Sequence, residues 1–204
     1  SVENSFSSRR VFRRDVHQLK DHPGQQVAAR NVFKMLSGSA IVRSHGNCGK
    51  VQDPYSFRCI PHVHGACRDS FQLSAIMINN EINSVSDNPL IMDRSTVLSS
   101  GHFHAEHVAQ ALDMLAISFS EIGAISERRT HYFMKGIDPM VPPFITSDPG
   151  LESGYMIAHV TASALASENK TLAHPASVDS LPTSGGQEDQ VSMAPWAGNK
   201  LFEI

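Results

Sequence analysis

The feature that most constrains this chain is a repeating series of small and apolar residues between Gly101 and Phe133. Val108, Ala111, Leu112, Leu115, Ala116, Phe119, Ile122 and Ile125 recur mostly at steps of three and four. That spacing gathers them into one stripe of an α-helix. At 1.5 Å per residue the helix would be roughly 45–50 Å long. Such a stripe needs apolar neighbours to bury it, and the rest of the chain supplies them. Asp21-His22-Pro23 reads as a helix start, with Asp21 as cap and Pro23 in the first turn. The helix it opens places Val27, Val32, Phe33 and Leu36 towards one side and stops near Ser37-Gly38. Another runs from about His62 through Phe71, Leu73, Ile76, Met77 and Ile82, and Ser86-Asp87-Asn88-Pro89 stops it. Two more are expected over about 150–172 and 188–203, beyond a connector that holds Pro139, Pro142, Pro143 and Pro149. Strand-like alternation is rare. The expected class is all-α, a bundle of long helices.

Residues 39–61 break this regularity. Gly46, Gly49, Pro54 and Pro61 punctuate them, and the stretch reads as a long polar loop. Loops of that length inside a compact protein are usually functional or disordered. The net charge of −3 and the 41% hydrophobic content are those of an ordinary globular protein, with no basic excess to recruit nucleic acid. Arg9, Arg10, Arg13 and Arg14 form the one dense charge cluster, either a phosphate-binding patch or, as charge runs usually are, a solvated surface. No uninterrupted apolar run approaches the ~20 residues that span a bilayer, and no secretory core lies near the start, so no membrane partner is expected. Cys48, Cys59 and Cys67 are odd in number and form no CxxC pair, which favours reduced thiols in a cytoplasmic protein. The chain starts at Ser1 rather than Met, and a piece of a longer protein is expected.

Four patches offer chemistry. Val51-Gln52-Asp53-Pro54-Tyr55-Ser56-Phe57-Arg58-Cys59 places an amide, a carboxylate, a phenol and a guanidinium within a short span. Arginine suits bidentate clamping of a carboxylate, and a phenol beside a cation is a candidate for proton transfer. A loop tied down by its own hydrogen bonds explains the same residues. Ser99-Ser100-Gly101-His102-Phe103-His104-Ala105-Glu106-His107 looks like a metal site, but it lacks the i, i+4 histidine spacing of zinc motifs, and no metal is expected. Gly150-Leu151-Glu152-Ser153-Gly154-Tyr155-Met156 leads towards Glu168 and Asn169, which read as interhelical polar ties; Met156 alone would be core filler. In Pro182-Thr183-Ser184-Gly185-Gly186-Gln187-Glu188-Asp189, the residues Ser184, Glu188 and Asp189 resemble helix-capping chemistry.

Taken in order, these patches resemble the aromatic amino acid lyase family. The resemblance rests on His22-Pro23-Gly24-Gln25, Val51-Gln52-Asp53-x-Tyr55-Ser56-x-Arg58-Cys59, Pro61-x-Val63-His64-Gly65, Asp87-Asn88-Pro89-Leu90 and Ser126-Glu127-Arg128-Arg129. It continues through Ser153-Gly154-x-Met156-Ile157-Ala158, Ser167-Glu168-Asn169-Lys170, Ala173-His174-Pro175-Ala176-Ser177-Val178-Asp179-Ser180 and Gln187-Glu188-Asp189-x-Val191-Ser192-Met193. It spans about His17 to Lys200.

The resemblance implies the helical bundle shared with fumarase-like enzymes, residues 1–204 being part of a single domain with an active-site loop at about 39–61. It implies elimination of ammonia from an α-amino acid by a methylidene-imidazolone electrophile. That group is made from an Ala-Ser-Gly tripeptide, which does not occur in this sequence. The electrophile-bearing part and the final helices are therefore expected outside these residues, and the isolated chain is expected to be inactive. By motif, Tyr55 stands beside the electrophile and the substrate amino group, Arg58 clamps the substrate carboxylate and Gln52 supports it. Phe103 packs against the electrophile, Met156 and Glu188 face the substrate side chain, and Tyr55 and Glu188 are the expected catalytic residues. Members that act on histidine share the Gln-Glu-Asp pattern, and a carboxylate suits an imidazole N–H far better than a phenyl ring. L-Histidine is thus the expected substrate and urocanate the product. Where the family usually has Gly-Asn-Phe-His-Gly, this chain has Gly101-His102-Phe103-His104-Ala105. His102 is therefore a candidate modifier, and a tyrosine or phenylalanine lyase, an aminomutase or a non-catalytic helical scaffold stand as alternatives. The family also implies a homotetramer whose subunits share active sites.

Overall fold

The structure is a computed structural model that describes residues 1–46 and 49–204; the expectation for Cys48 lies outside them. Eight α-helices follow in chain order among the described residues: α1 Arg14–His17, α2 Pro23–Met35, α3 Ala40–Ser44, α4 Tyr55–Arg58, α5 Ile60–Ile82, α6 Glu106–Met134, α7 Met156–Leu172 and α8 Ala194–Glu203. A two-stranded antiparallel hairpin, β1 Leu90–Ile91 with β2 Val97–Leu98, pairs Leu90 with Leu98 and Ile91 with Val97. The all-α expectation holds, and the hairpin is a small addition that the residue pattern did not announce. Contacts group the chain into two compact units, residues 1–69 with 120–169, and residues 70–119 with 170–204.

Several boundaries move from their expected places. The helix expected after Gly101 begins at Glu106, because residues 101–105 form a turn in which the His104 N–H donates to the Gly101 carbonyl at 2.9 Å. The stretch at 39–61 is not one loop: α3 and α4 interrupt it, and α5 already starts at Ile60. The last two helices start later than expected, at Met156 and Ala194. The N-cap of α2 is His22 rather than Asp21, and it provides no side-chain cap. The cap comes instead from α5, where Asp69 Oδ1 accepts from the Gly24 N–H at 2.7 Å. An acidic group there also complements the positive end of the helix dipole.

In the first unit, α2 crosses α5 at two glycines. A Cβ on Gly24 would run into the Gly65 carbonyl oxygen, and one on Gly65 would run into the Gln25 backbone. The adjoining core gathers Phe12, Val32, Leu36, Ile60 and Ile125, with Phe33 and Val63 packed against it. Buried His17 is held by Gln25 Nε2 at 3.0 Å on Nδ1 and lies 2.9 Å from the Val11 carbonyl through Nε2. An amide donating to Nδ1 leaves Nε2 to carry the proton.

The second unit is organised around Asp113, which α6 buries. Its two oxygens accept from the backbone N–H of Ala176 at 2.9 Å and of Ser177 at 2.8 Å. Lys200 Nζ stands 3.8 Å from the same carboxylate and donates to the His174 carbonyl. Ser74 Oγ donates to the Ala111 carbonyl at 3.1 Å. By length and composition α6 is apolar enough to cross a membrane. Its Asp113 and Glu127 are buried and hydrogen-bonded to protein partners, as in a core helix.

Candidate active site

The first patch is organised by α4, a single turn. Phe57 is wholly buried and meets Tyr132 edge-on, with ring centroids 5.2 Å apart. Residues three apart share a helix face, so Tyr55 and Arg58 project together on the side away from Phe57. The Arg58 guanidinium lies over the Tyr55 ring at 4.7 Å. Its Nη2 donates to Gln52 Oε1 at 2.6 Å and its Nε to the Asp53 carbonyl at 2.9 Å. Asp53 is buried and accepts from the Ser8 N–H at 2.8 Å, which ties the start of this segment to the N-terminal residues. A cleft of about 510 Å³ opens beside them, with Ser8, Arg10, Lys50, Gln52 and Arg58 in its wall. Gln52, Tyr55 and Arg58 therefore form one cluster, with the guanidinium held by the Gln52 amide and the Tyr55 ring.

Met156 belongs to the same unit and opens α7. The preceding turn is tight: Gly154 has φ +49, and a Cβ there would collide with the Phe144 carbonyl oxygen. That same oxygen accepts from the Tyr155 N–H at 2.9 Å. Met156 is 37% exposed, more open than core filler. Behind it, His159 Nε2 is 3.1 Å from Glu127 Oε1, and Ser163 Oγ donates to the same oxygen at 3.1 Å. Burial pushes the Glu127 carboxyl up. The bonds from His159 and Ser163, with the Arg128 charge, outweigh burial and hold it below the ordinary glutamate range. Ser126-Glu127-Arg128-Arg129 thus contributes an interhelical tie between α6 and α7, and Asn169 adds another by packing its amide against Gly123.

The other residues singled out in the sequence lie in the second unit. Asn88 Oδ1 accepts from the Ser100 N–H at 2.8 Å, and Ser100 Oγ is 2.7 Å from His102 Nδ1. This anchors the turn that presents Phe103, which is 63% exposed. Among the described residues no group of three His, Cys, Asp or Glu side chains is arranged to hold a metal ion.

Glu188 does not cap a helix. The N-cap of α8 is Met193, and it too has no side-chain cap bond. Glu188 Oε2 instead accepts from Thr183 Oγ1 at 2.6 Å and from Ser184 Oγ at 2.9 Å. The Thr183 hydroxyl, then the Ser184 hydroxyl, hold the carboxyl below the ordinary glutamate range. The segment is fastened by Ser180, whose Oγ accepts from the Val191 N–H at 2.8 Å, and Ala176-Ser177 upstream is fixed by Asp113. Asp113 and Lys200 escaped the sequence reading. A lone acid inside an apolar stripe was the available signal for Asp113, since a buried charge demands partners.

Comparison with known proteins follows this geometry. The aromatic amino acid lyase family matches residues 1–204. A histidine ammonia-lyase of Burkholderia multivorans is 55% identical over 205 aligned positions, covering 100% of this chain and 40% of that protein. The crystal structure of histidine ammonia-lyase from Trypanosoma cruzi superposes with a TM-score of 0.80 at 38% identity, over 99% of this chain and 38% of that one. The phenylalanine aminomutase of Pantoea agglomerans superposes with a TM-score of 0.87 at 29% identity, over 99% of this chain and 43% of that one. The chain spans about 40% of the length of the curated relatives it matches. Since the family match runs over the whole of these residues, the chain belongs to the aromatic amino acid lyase family.

Proposed function

We propose that these residues are part of an ammonia-lyase that converts L-histidine to urocanate and ammonia. The observation that carries the reading is Glu188, a carboxylate kept anionic and held by its own loop. An anionic acceptor favours a side chain that brings an N–H and is poorly placed beside a phenyl ring. The curated relatives, histidine ammonia-lyases, point the same way. The likeness to an aminomutase concerns the scaffold, on which several chemistries are built.

Arg58 binds the substrate carboxylate as a planar fork, and Gln52 fixes the fork's direction by taking one of its donors. Tyr55, held under the guanidinium, is placed at the amino group. Met156 borders the substrate side chain, and Glu188 orients its ring. The methylidene-imidazolone group, when bound, supplies the electrophile that makes the amino group leave. Tyr55 and Phe103, 71% and 63% exposed, are each an open aromatic ring of a kind suited to cover such a flat group. Homotetrameric assembly with sites shared between subunits belongs to the same proposal and rests on the family resemblance, and a cytoplasmic location rests on the odd set of cysteines without a CxxC pair.

The test uses the protein as its gene encodes it. Intact mass should show loss of water from the precursor tripeptide, and incubation with L-histidine should yield urocanate. Preferential turnover of phenylalanine or tyrosine, or a folded product with no dehydration, overturns the reading.

A further inference from the structure

We infer that Thr183 and Ser184 are positioning residues whose hydroxyls occupy one oxygen of Glu188 and leave the other presented as an anionic acceptor for a substrate N–H. The inference deepens the histidine reading above and rests on it for the identity of the donor.

The backbone makes the arrangement. Ser184, Gly185 and Gly186 have φ values of +52, +66 and +88, three left-handed residues in succession. Glycine takes this conformation without steric cost; at Ser184 an ordinary side chain has been placed there. The reversal returns the chain on itself, so that the Thr183 N–H donates to the Glu188 carbonyl at 2.9 Å and the Glu188 N–H to the Thr183 carbonyl at 3.4 Å. Side chains follow the backbone pairing. The Thr183 and Ser184 hydroxyls both reach Oε2, at 2.6 and 2.9 Å. Among the described residues Oε1 accepts no hydrogen bond.

Two donors on one oxygen have two effects. They fix the rotation of the carboxylate, so Oε1 points in a set direction instead of sweeping a cone. They also favour the ionised form, which makes Glu188 a good acceptor and a poor base. Glu188 then holds the ring rather than taking a proton from the substrate. A substrate ring without an N–H gains nothing from such an acceptor.

The experiment has two arms. In the intact protein, the side-chain carboxyl of Glu188 is followed by carbon NMR with selective glutamate labelling against pH, in the natural sequence and in Thr183→Val, Thr183→Ser and Ser184→Ala. Helicity by circular dichroism checks that each variant is folded. Valine matches the shape of threonine and keeps the backbone pairing while losing the hydroxyl. The titration midpoint is expected to rise towards ordinary glutamate in Thr183→Val and Ser184→Ala and to stay low in Thr183→Ser. An unchanged midpoint in both hydroxyl-deleted variants overturns the inference.

In the intact protein, the same two variants are expected to raise KM for L-histidine about three- to tenfold, the scale of one hydrogen bond, with a smaller change in kcat. The low-pH limb of kcat/KM is expected to move upward. A raised midpoint with no change in KM or in that limb also overturns the positioning role. Failure of the natural intact protein to act on histidine overturns the histidine reading instead; the NMR arm then decides the hydroxyl clamp by itself.

Discussion

Asp113 and Ala176 are 63 residues apart in sequence and joined by a 2.9 Å hydrogen bond from the Ala176 N–H to a buried carboxylate oxygen. The second oxygen serves Ser177, and Lys200 supplies a nearby positive charge. Removing that acceptor leaves two backbone donors and a cation without it. Asp113→Ala is expected to lower the unfolding free energy by about 3–5 kcal/mol, the scale for breaking a buried ion pair, measured by urea titration of the chain. A loss below about 1 kcal/mol would show that the contact is replaced by water.

The Gly24–Gly65 crossing predicts a steric effect. Gly65→Ala puts a Cβ against the Gln25 backbone, which has no rotamer to yield. Overpacking of this kind costs about 1–3 kcal/mol, and rigid backbone on the far side places the expected value at the upper end. Denaturant unfolding measures it. Gly49→Ala, where a Cβ meets nothing within 4 Å, serves as the control and should be nearly neutral.

Glu127 makes the stability depend on pH. Its folded pKa lies below the ordinary value, so its contribution is fully present above the unfolded glutamate pKa of about 4.3. It is lost as pH falls through the lower, folded value. The thermal midpoint of the natural chain should exceed that of Glu127→Gln by a few degrees, about 2–4 °C, at neutral pH. The difference should close in acid. A gap that stays constant down to the most acidic folded conditions would mean that shape rather than charge is what Glu127 provides.

Arg58→Lys tests the fork. Lysine keeps the charge but not two parallel donors, and it cannot hold both Gln52 and a substrate carboxylate. In the intact protein kcat/KM for L-histidine is expected to drop about 10- to 100-fold, corresponding to about 1.4–2.8 kcal/mol. Steady-state kinetics decide it, and an unchanged value would remove Arg58 from substrate binding.

Much of this was legible in the residues, for reasons that differ by element. The periodic stripe of α6 marked a long buried helix because helical burial repeats with a fixed period. Tyr55 and Arg58 were readable as a cluster because they are three residues apart, and the amide of Gln52 is close enough in sequence to reach them. Asp69 as the cap of α2 was not readable, since its partner is 45 residues away and nothing local distinguishes it from a surface acid. The same holds for Asp113 with Ala176-Ser177. For Glu188 the residues alone left helix capping open beside a role toward the substrate, because hydroxyls and acids near a helix start look alike in sequence. Only the three left-handed residues at 184–186, invisible to composition, turn the hydroxyls back onto the carboxylate.

The single turn of α4 has a consequence for how the protein would respond to a ligand. Phe57 is locked among aromatic rings on one side, while Tyr55 and Arg58 share the other. A four-residue helix pinned at its middle has no slack between these two side chains. Whatever displaces the guanidinium also tilts the phenol, so the binding and chemistry proposed for them would be geared to one another like teeth on a single wheel. Losses from changing Tyr55 and Arg58 together should then fall short of the sum of the separate losses, and a substitution at Phe57 should disturb both although it touches neither substrate nor solvent.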